Sequence, residues 1–298
     1  MPGHAWQWLF FIEGIPSIVV GIVVLYYLTD KPEHAHWLSS TERSQLIGIM
    51  EEERRHVAGH RASDFKHAFA SPFTWILSIL YSLMVWAYFP VNFFTPDILK
   101  DALVQSHVIT LAPPGTPAFL PAIAPTPEYL VSLYVGMLSA IPFGAAALTM
   151  VAIARHSDRT NERKYHTAVG CGLMALGLAL AAIAPRLAGG MLGTVLTVVG
   201  LSLTAIGWFS SFAVFWAIPP QLLTGTAIAA ALATINALGN LMGNFLNPNL
   251  RVWLSLNRPA FLLVAAGCGL LAAILMPLLR LPKHSQPAPA PAPEKAET

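Results

Sequence analysis

The sequence predicts an all-α integral membrane protein with about seven transmembrane helices, and three observations lead to this fold class. Of the 298 residues, 55% are hydrophobic and only 11% are charged, whereas a soluble domain carries about 25% charged residues. The mean hydropathy is +0.59. The apolar residues are gathered into runs of about 20 residues, the length that a helix needs to cross a bilayer. A soluble fold could not bury this much apolar surface.

Seven apolar runs qualify as spans, and polar or Pro-rich segments separate them. The predicted spans are 6–28, 73–94, 129–153, 167–184, 191–216, 222–246 and 259–279. The first run is too long for the apolar part of a signal peptide and follows no basic residue, so we interpret it as a span. Glu13 is the one charged residue that lies well inside a predicted span.

The polar segment 29–72 between the first two spans is predicted to contain a short helix. Ser39 precedes Glu42 by three residues, which is the pattern of a capping box at a helix N-terminus. Leu46, Ile49 and Met50 form one apolar stripe along that helix. We therefore expect the helix to lie on the helix bundle or on the lipid headgroups.

The distribution of Lys and Arg predicts the orientation in the membrane, because basic loops stay in the cytoplasm. Thirteen of the 17 Lys and Arg residues fall in 29–72, in 154–166 and in the C-terminal tail, and the alternate connections hold the other four. We expect the protein in a bacterial-type inner membrane, with these three segments, and so the C-terminus, on the cytoplasmic side. The N-terminus is then expected outside.

Several features exclude other classes of protein. A net charge of +2 with scattered basic residues argues against a nucleic-acid partner. Cys171 and Cys268 each lie inside an apolar run, which excludes a disulfide framework. The Pro-rich stretch 112–117 (APPGTP) is predicted to be irregular, and the Pro/Ala-rich tail 282–298 to be disordered.

A weak internal repeat divides the last six spans into two triples. The first span of each triple ends on aromatic residues followed by proline, at 86–90 (WAYFP) and at 215–219 (FWAIP), although the two run in opposite directions. This pattern is typical of an inverted repeat, in which interrupted middle helices mark a transport pathway. The residues predicted to interrupt the middle helices are Pro142, Gly144, Gly239 and Gly243. Close helix approach is predicted at the small residues Gly136, Ala140 and Gly144.

The segment 155–166 (RHSDRTNERKYH) resembles the cytoplasmic loop motif of the major facilitator superfamily: an aspartate and an arginine, a turn residue, then paired basic residues. Asp158, Arg159 and Arg163 occupy the charged positions. Asn161 stands where the family often has glycine, and asparagine also tolerates left-handed backbone. Asp158 could face a helix N-terminus while the arginines bridge helix C-terminal carbonyls, which would latch one conformation. The alternative is a basic loop that only follows the positive-inside rule.

Two further stretches are similar to the anion:cation symporter family of that superfamily. The segment 6–16 (WQWLFFIEGIP) resembles its sixth span, and 215–220 (FWAIPP) with 235–240 (INALGN) resembles its tenth and eleventh spans. The resemblance implies a major facilitator fold in which 1–28 is the sixth span, 29–72 the cytoplasmic inter-bundle loop and 73–281 the C-terminal six-helix bundle. It implies a carrier that moves organic anions with protons by alternating access, the solute being a sugar acid, a tartrate-like diacid or an aromatic carboxylate. The first five spans, and with them the N-terminal bundle, are expected to be absent, which fits an odd number of spans that begins outside.

Asn236, Asn240 and Asn244 lie four residues apart and therefore line one face of a helix. Amides that face lipid are costly, so this face is predicted to look into protein or water. Asn236 and Asn240 are candidates for binding a small carboxylate solute, and the resemblance favours Asn236. Hydrogen bonding between helices is the alternative.

Tyr88 and Asn92 are two further candidates for solute binding, because they share one face of the second span with Tyr81. For Tyr81, apolar packing is an equal alternative. A structural hydrogen-bonding role is predicted for Glu13, because the resemblance places the sixth span outside the cavity. The resemblance also implies that the proton-coupling carboxylates and the arginine for an anionic solute belong to the absent N-terminal bundle.

A seven-span receptor or a structural membrane protein without transport activity is the alternative by span count. A retinal protein is excluded because every lysine falls in a loop or tail. The sequence contains no HExxH or GxSxG motif and no histidine within a predicted span, so an enzyme is not expected, nor is a metal or a cofactor. The ten histidines are interpreted as solvated loop residues.

Overall fold

The structure is a computed structural model, and it describes residues 5–57, 69–109, 127–222, 226–247, 249, 252 and 255–279. The chain divides into two compact units, Met1–Arg61 and Ala62–Thr298. Several sequence features lie outside the described residues. They are the Pro-rich stretch 112–117, the tail 282–298 and the basic residues Arg61, Lys66 and Arg251.

The first unit contains helix α1 (Ala5–Tyr27) and helix α2 (Ser40–Val57). The predicted capping box of α2 is confirmed. The Ser39 hydroxyl oxygen accepts a hydrogen bond from the Glu42 backbone N–H at 3.3 Å, and the Glu42 carboxylate accepts from the Ser39 backbone N–H at 3.0 Å and from its hydroxyl at 2.7 Å. These bonds satisfy N–H groups that have no partner in a first helical turn. The stripe of Leu46, Ile49 and Met50 is exposed, and the surface it rests on stays a prediction.

The second unit is built from long helices. They are α3 (Pro72–Gln105), α4 (Glu128–Thr160), α5 (Lys164–Leu187), α6 (Gly190–Phe215), the short α7 (Pro219–Leu222), α8 (Thr226–Asn240) with a π-helical turn (Leu241–Leu246), and α9 (Arg258–Leu275). Together with Phe10–Tyr27 of α1, the described part of the chain has seven helices that are long and apolar enough to cross a membrane. The prediction of an all-helical protein with seven spans is therefore confirmed.

Several helices extend past the predicted spans. Hydropathy marks the apolar part of a helix, whereas polar residues continue the same backbone hydrogen bonds beyond it. Helix α3 runs on through Pro90 and Pro96 to Gln105. Helix α4 runs through Pro142, so the interruption predicted there is wrong. The predicted loop 154–166 shrinks to the three residues 161–163 between α4 and α5.

Helices α5 and α6 pack against each other in antiparallel fashion through two pairs of glycines. A Cβ added to Gly170 would lie 2.7 Å from the Gly207 carbonyl oxygen, and one added to Gly207 would lie 2.4 Å from the Gly170 carbonyl oxygen. Gly177 and Gly200 form the second pair. The close approach predicted at Gly136, Ala140 and Gly144 is wrong, because a Cβ on either glycine would meet no atom within 4 Å.

Helix α8 and its π-helical turn pack against α3 through Gly239 and Gly243, which the sequence predicted as interruptions. A Cβ on Gly239 would lie 2.1 Å from a ring carbon of Tyr81, and one on Gly243 would lie 2.0 Å from a methyl of Val85. The indole N–H of Trp86 donates to the carbonyl oxygen of Met242 in the π-helical turn. Both glycines allow close packing. The predicted interruption is wrong at Gly239, which lies in the α-helix, and confirmed at Gly243, which lies in the π-helical turn.

Candidate functional site

The first group of predicted site residues lies on α3. The Tyr88 hydroxyl donates to the Asn92 side-chain oxygen at 3.4 Å, so the structure brings these two residues together. The Tyr88 ring stacks parallel to Trp208, with ring centroids 4.4 Å apart and an interplanar angle of 2°. Asn92 is exposed and Tyr88 is half-buried. Their hydrogen-bonding atoms therefore lie at the rim of an aromatic cluster.

Tyr81 belongs to that cluster and is 4% exposed. Its ring stacks with Phe215 at 5.5 Å and meets Trp216 edge-on at 5.0 Å, and it also covers Gly239. Of the two alternatives left open for Tyr81, the contacts favour apolar packing.

The second group is a ladder of amides on the exposed face of α8 and its π-helical turn. The Asn240 side-chain NH₂ donates to the Asn236 side-chain oxygen at 2.7 Å and to the Asn236 backbone oxygen at 2.9 Å. The Asn244 NH₂ donates in turn to the Asn240 side-chain oxygen at 2.8 Å. Both Asn236 oxygens accept from one NH₂ group, which fixes the direction of the ladder. Its free ends are the NH₂ of Asn236 and the side-chain oxygen of Asn244, neither of which has a protein partner among the described residues.

The structure does not join these two groups by a hydrogen bond in the described residues. Tyr88 pairs with Asn92 on α3, and Asn236 pairs with Asn240 on α8. Both groups belong to the same unit, whose helices α3 and α8 pack directly against each other. Solute binding by these four residues stays a prediction.

The joint between α4 and α5 is closed by a left-handed residue. Asn161 has φ 49° and ψ 33°, and its N–H bonds back to the Asp158 carbonyl oxygen at 3.3 Å. The Glu162 N–H reaches the Ser157 carbonyl oxygen at 3.2 Å, and the buried Ser157 hydroxyl donates to the Glu162 carbonyl oxygen at 2.6 Å. The predicted tolerance of Asn161 for left-handed backbone is confirmed.

In the described residues, the Asp158 carboxylate pairs with an arginine and not with the backbone N–H groups of a helix N-terminus. The carboxylate accepts from Arg163 Nη1 at 2.5 Å, with Asp158 63% exposed and Arg163 17% exposed. Neither Arg159 nor Arg163 bridges helix C-terminal carbonyls in the described residues. Lys164 makes such a contact instead, donating from Nζ to the Pro277 carbonyl oxygen at 3.4 Å. Whether Asp158, Arg159 and Arg163 act as a conformational latch stays a prediction.

Glu162 caps α5, and the sequence prediction missed it. Its carboxylate accepts from the Tyr165 backbone N–H at 2.9 and 3.0 Å, from the His166 backbone N–H at 3.2 Å and from His166 Nδ1 at 2.9 Å. Partial burial alone would raise the pKa of the Glu162 carboxyl. The hydrogen bonds from Tyr165 and His166 outweigh burial and lower that pKa below its ordinary value. A glutamate three residues before Tyr165 was the available signal for this cap.

His156 and His166 were interpreted as solvated loop residues. The loop assignment is wrong for both, whereas His156 is exposed as expected and His166 is half-buried. His156 lies in the last turns of α4 and His166 in the first turn of α5. Their ring nitrogens Nδ1 of His156 and Nε2 of His166 are 2.7 Å apart. No sequence pattern within either helix predicts this contact, because it depends on how the ends of α4 and α5 pack together.

Glu13 lies on α1, and its side chain is exposed within the first unit. Its backbone oxygen accepts a hydrogen bond from the Ser17 hydroxyl at 3.4 Å. No hydrogen bond of the Glu13 carboxylate is found in the described residues, so its structural role stays a prediction.

Comparison with known proteins identifies the family. Residues 2–246 match the family model of the Major Facilitator Superfamily. A protein of Agrobacterium vitis named "Putative tartrate transporter" is 34% identical over 284 residues, which cover 92% of this chain and 54% of that protein. The inner membrane transport protein RhmT of Escherichia coli is 30% identical over 283 residues, covering 94% of this chain and 58% of that protein.

The chain thus spans little more than half the length of these relatives. A quinolone resistance transporter of Acinetobacter baumannii is 28% identical over 82% of this chain and 49% of its own length. No solved structure matches the chain. The relatives are named as transporters, in agreement with the prediction of a transporter and not an enzyme. The chain belongs to the Major Facilitator Superfamily.

Proposed function

We propose that this chain is part of a secondary transporter that carries a small organic anion across the inner membrane, and that its exposed amide ladder takes part in binding that anion. The candidate solutes are tartrate-like diacids, sugar acids and aromatic carboxylates. The name of the Agrobacterium vitis relative supports a carboxylate solute. The observation that carries the proposal is the free NH₂ group at the Asn236 end of the ladder.

The direction of the ladder gives it a chemical preference. Because both oxygens of Asn236 accept from Asn240, the Asn236 NH₂ keeps two N–H donors free, and a carboxylate offers only acceptors at neutral pH. A hydrogen bond to a charged group contributes about 1.5–3 kcal/mol. The hydroxyl of Tyr88 and the amide of Asn92 supply further polar atoms to the same unit. We assign solute binding to Asn236, Asn240, Tyr88 and Asn92.

Alternating access requires two bundles that move against each other around a midplane site. The relatives are nearly twice as long as this chain, which leaves room in such a carrier for a second bundle. We propose that an N-terminal bundle supplies the proton-coupling carboxylates and the cation that pairs with the solute. In this arrangement the α4–α5 joint and the C-terminus face the cytoplasm, the Asp158–Arg163 pair with Arg159 biases the two conformations, and Glu13 has a structural role in the sixth span.

The test is uptake of labelled tartrate, a sugar acid and benzoate by cells that express the chain alone or together with any spans translated from the DNA upstream of Met1. We expect cells that express the chain together with the upstream spans (the pair) to take up at least one organic anion, and a protonophore to abolish this uptake. We expect no uptake by cells that express the chain alone. A pair that inserts but takes up no organic anion would contradict the proposed solute class. Robust uptake by the chain alone would contradict the need for a second bundle.

A further inference from the structure

The α4–α5 joint contains a continuous hydrogen-bonded chain of three titratable side chains. His156 Nδ1 lies 2.7 Å from His166 Nε2, and His166 Nδ1 lies 2.9 Å from a Glu162 carboxylate oxygen. The two imidazole rings have centroids 5.0 Å apart and are tilted by 48°. This hydrogen-bonded series runs from the last turns of α4 to the first turn of α5, so it connects the two helices beside the Asp158–Arg163 pair.

The Glu162 carboxylate, the acceptor at the end of this hydrogen-bonded series, determines where each proton of the two histidines lies. The Glu162 carboxylate already accepts from the backbone N–H groups of Tyr165 and His166, so it is held ionised and accepts from His166 Nδ1–H. Neutral His166 then has a lone pair on Nε2, and His156 must donate to it from Nδ1–H. The remaining nitrogen, His156 Nε2, has no protein partner among the described residues.

We propose that His156, His166 and Glu162 form a pH switch. This site binds one proton without breaking its hydrogen bonds, and the contact between α4 and α5 opens when a second proton binds. The first proton comes from solvent to His156 Nε2. The Nδ1 proton of His156 can then move across the 2.7 Å contact to His166 Nε2, so the charge is shared and all hydrogen bonds persist. A second proton leaves two N–H groups facing each other, and the histidine contact must break.

The surrounding charges favour one added proton over two. On α4 the neighbouring charged residues are Arg155, Asp158 and Arg159, and on the joint and α5 they are Glu162, Arg163, Lys164 and the titratable Tyr165. Four cations against two carboxylates oppose a second positive charge in the histidine pair. The segment Met276–Leu278, which packs against α5, carries no titratable side chain. Arg280, Lys283 and His284 lie outside the described residues.

The geometry suits a proton better than a metal ion. Two nitrogens bound to one zinc ion at 2.0–2.1 Å in tetrahedral geometry are about 3.4 Å apart, whereas these two are at hydrogen-bond distance. No group of three or more His, Cys, Asp or Glu in the described residues could hold a metal ion. The switch is independent of which solute the transporter carries.

The test is solid-state NMR of the whole chain, labelled with ¹⁵N-histidine, in lipid bilayers. At pH 8 we expect both His156 and His166 to carry their proton on Nδ1, with a through-hydrogen-bond coupling between His156 Nδ1 and His166 Nε2. On acidification the pair should bind its two protons in two separate steps, because the first positive charge opposes the second. The coupling should survive the first step and disappear at the second. No coupling at pH 8, or charging of both residues in one step, would overturn the proposal.

Single variants assign the signals and test the sharing. In H156Q, His166 should charge in one step, because glutamine can donate to His166 Nε2 but cannot take up a proton. H166Q should leave His156 with one step and no coupling. The matched control is H107Q, which removes a histidine two residues beyond the end of α3 and should leave both steps unchanged. Identical titration of His166 in H156Q and in the parent protein would show that no proton is shared.

Discussion

Gly177 of α5 and Gly200 of α6 hold the two helix backbones in direct contact. A Cβ on Gly177 would lie 2.4 Å from the Gly200 carbonyl oxygen, and a Cβ on Gly200 would lie 2.6 Å from the Gly177 carbonyl oxygen. The nearest atom to each Cβ is a backbone carbonyl oxygen, which cannot move aside as a flexible side chain would. This contact and the equivalent one between Gly170 and Gly207 set the distance and the register of the α5–α6 pair.

The glycine contact predicts a large difference between two alanine substitutions on one helix. G177A forces the helices apart and should lower the free energy of unfolding by about 1–3 kcal/mol. G172A is the matched control, because a Cβ there meets no atom within 4 Å and alanine favours helix over glycine by up to about 1 kcal/mol. Thermal unfolding in detergent measures both variants. Equal melting temperatures for G177A and G172A would contradict the close contact.

Asn161 should tolerate glycine and reject a β-branched residue. Its φ of 49° lies in the left-handed region, where an ordinary side chain costs about 1–2 kcal/mol and glycine costs none. We expect N161G to unfold at the parent's temperature and N161I to unfold at a lower one. The same melting temperature for both variants would show that the backbone at Asn161 is not held in this conformation.

The Asn236 amide should contribute directly to solute affinity in a transporter that contains both bundles. N236A removes the free donor of the ladder and should weaken binding of the carried anion about 10- to 100-fold, the equivalent of one charged hydrogen bond. T234V is the matched control, because the Thr234 hydroxyl donates to the Ala230 carbonyl oxygen of its own helix. Isothermal titration measures both. Unchanged affinity with a lower melting temperature in N236A would assign Asn236 a structural role.

The Asp158–Arg163 pair should bias the conformational equilibrium modestly, because an exposed ion pair contributes about 0.2–1 kcal/mol. D158N keeps the shape of the side chain and should shift the balance of inward-open and outward-open states by about 1.4- to 5-fold. Accessibility of cysteine probes on the two membrane sides measures the shift. R163Q and the double variant complete a double-mutant cycle. If the two residues act only through their ion pair, the double variant should shift the equilibrium as much as each single variant does. Equal accessibility of the probes in D158N and in the parent would contradict the role of Asp158 as a conformational latch.

The capping box of α2 should weaken in acid. Hydrogen bonds from the Ser39 hydroxyl and backbone N–H lower the pKa of the Glu42 carboxyl below its ordinary 4.5. A lowered folded-state pKa means that the stabilisation is fully present above pH 4.5 and is lost as pH falls through the lower, folded value. Amide hydrogen exchange in the first turn of α2, corrected for intrinsic rates, should therefore accelerate in acid. E42Q should abolish this acid dependence and E52Q, in the second half of the helix, should retain it.

Local features of this protein were predictable because neighbouring residues along the chain encode them. The seven apolar runs predicted seven spans, Ser39 and Glu42 predicted a helix start, and Asn161 predicted a left-handed turn. Each depends on hydropathy over one helix or on hydrogen bonds within one turn. The spacing of Asn236, Asn240 and Asn244 likewise placed three amides on one face, and the hydrogen bonds between them follow that spacing.

Contacts between helices were decided only by the tertiary structure. A membrane helix is apolar on most faces, so its hydropathy does not say which face meets a neighbour or at what register. The glycines in contact are Gly177 and Gly200, although a stripe at Gly136 and Gly144 looked equally suitable. At the α4–α5 joint, Glu162 caps α5 while Asp158 pairs with Arg163, and the left-handed turn at Asn161 lies between the two carboxylates in the chain. The same turn brings His156 to His166, ten residues apart in the chain and one hydrogen bond apart in space.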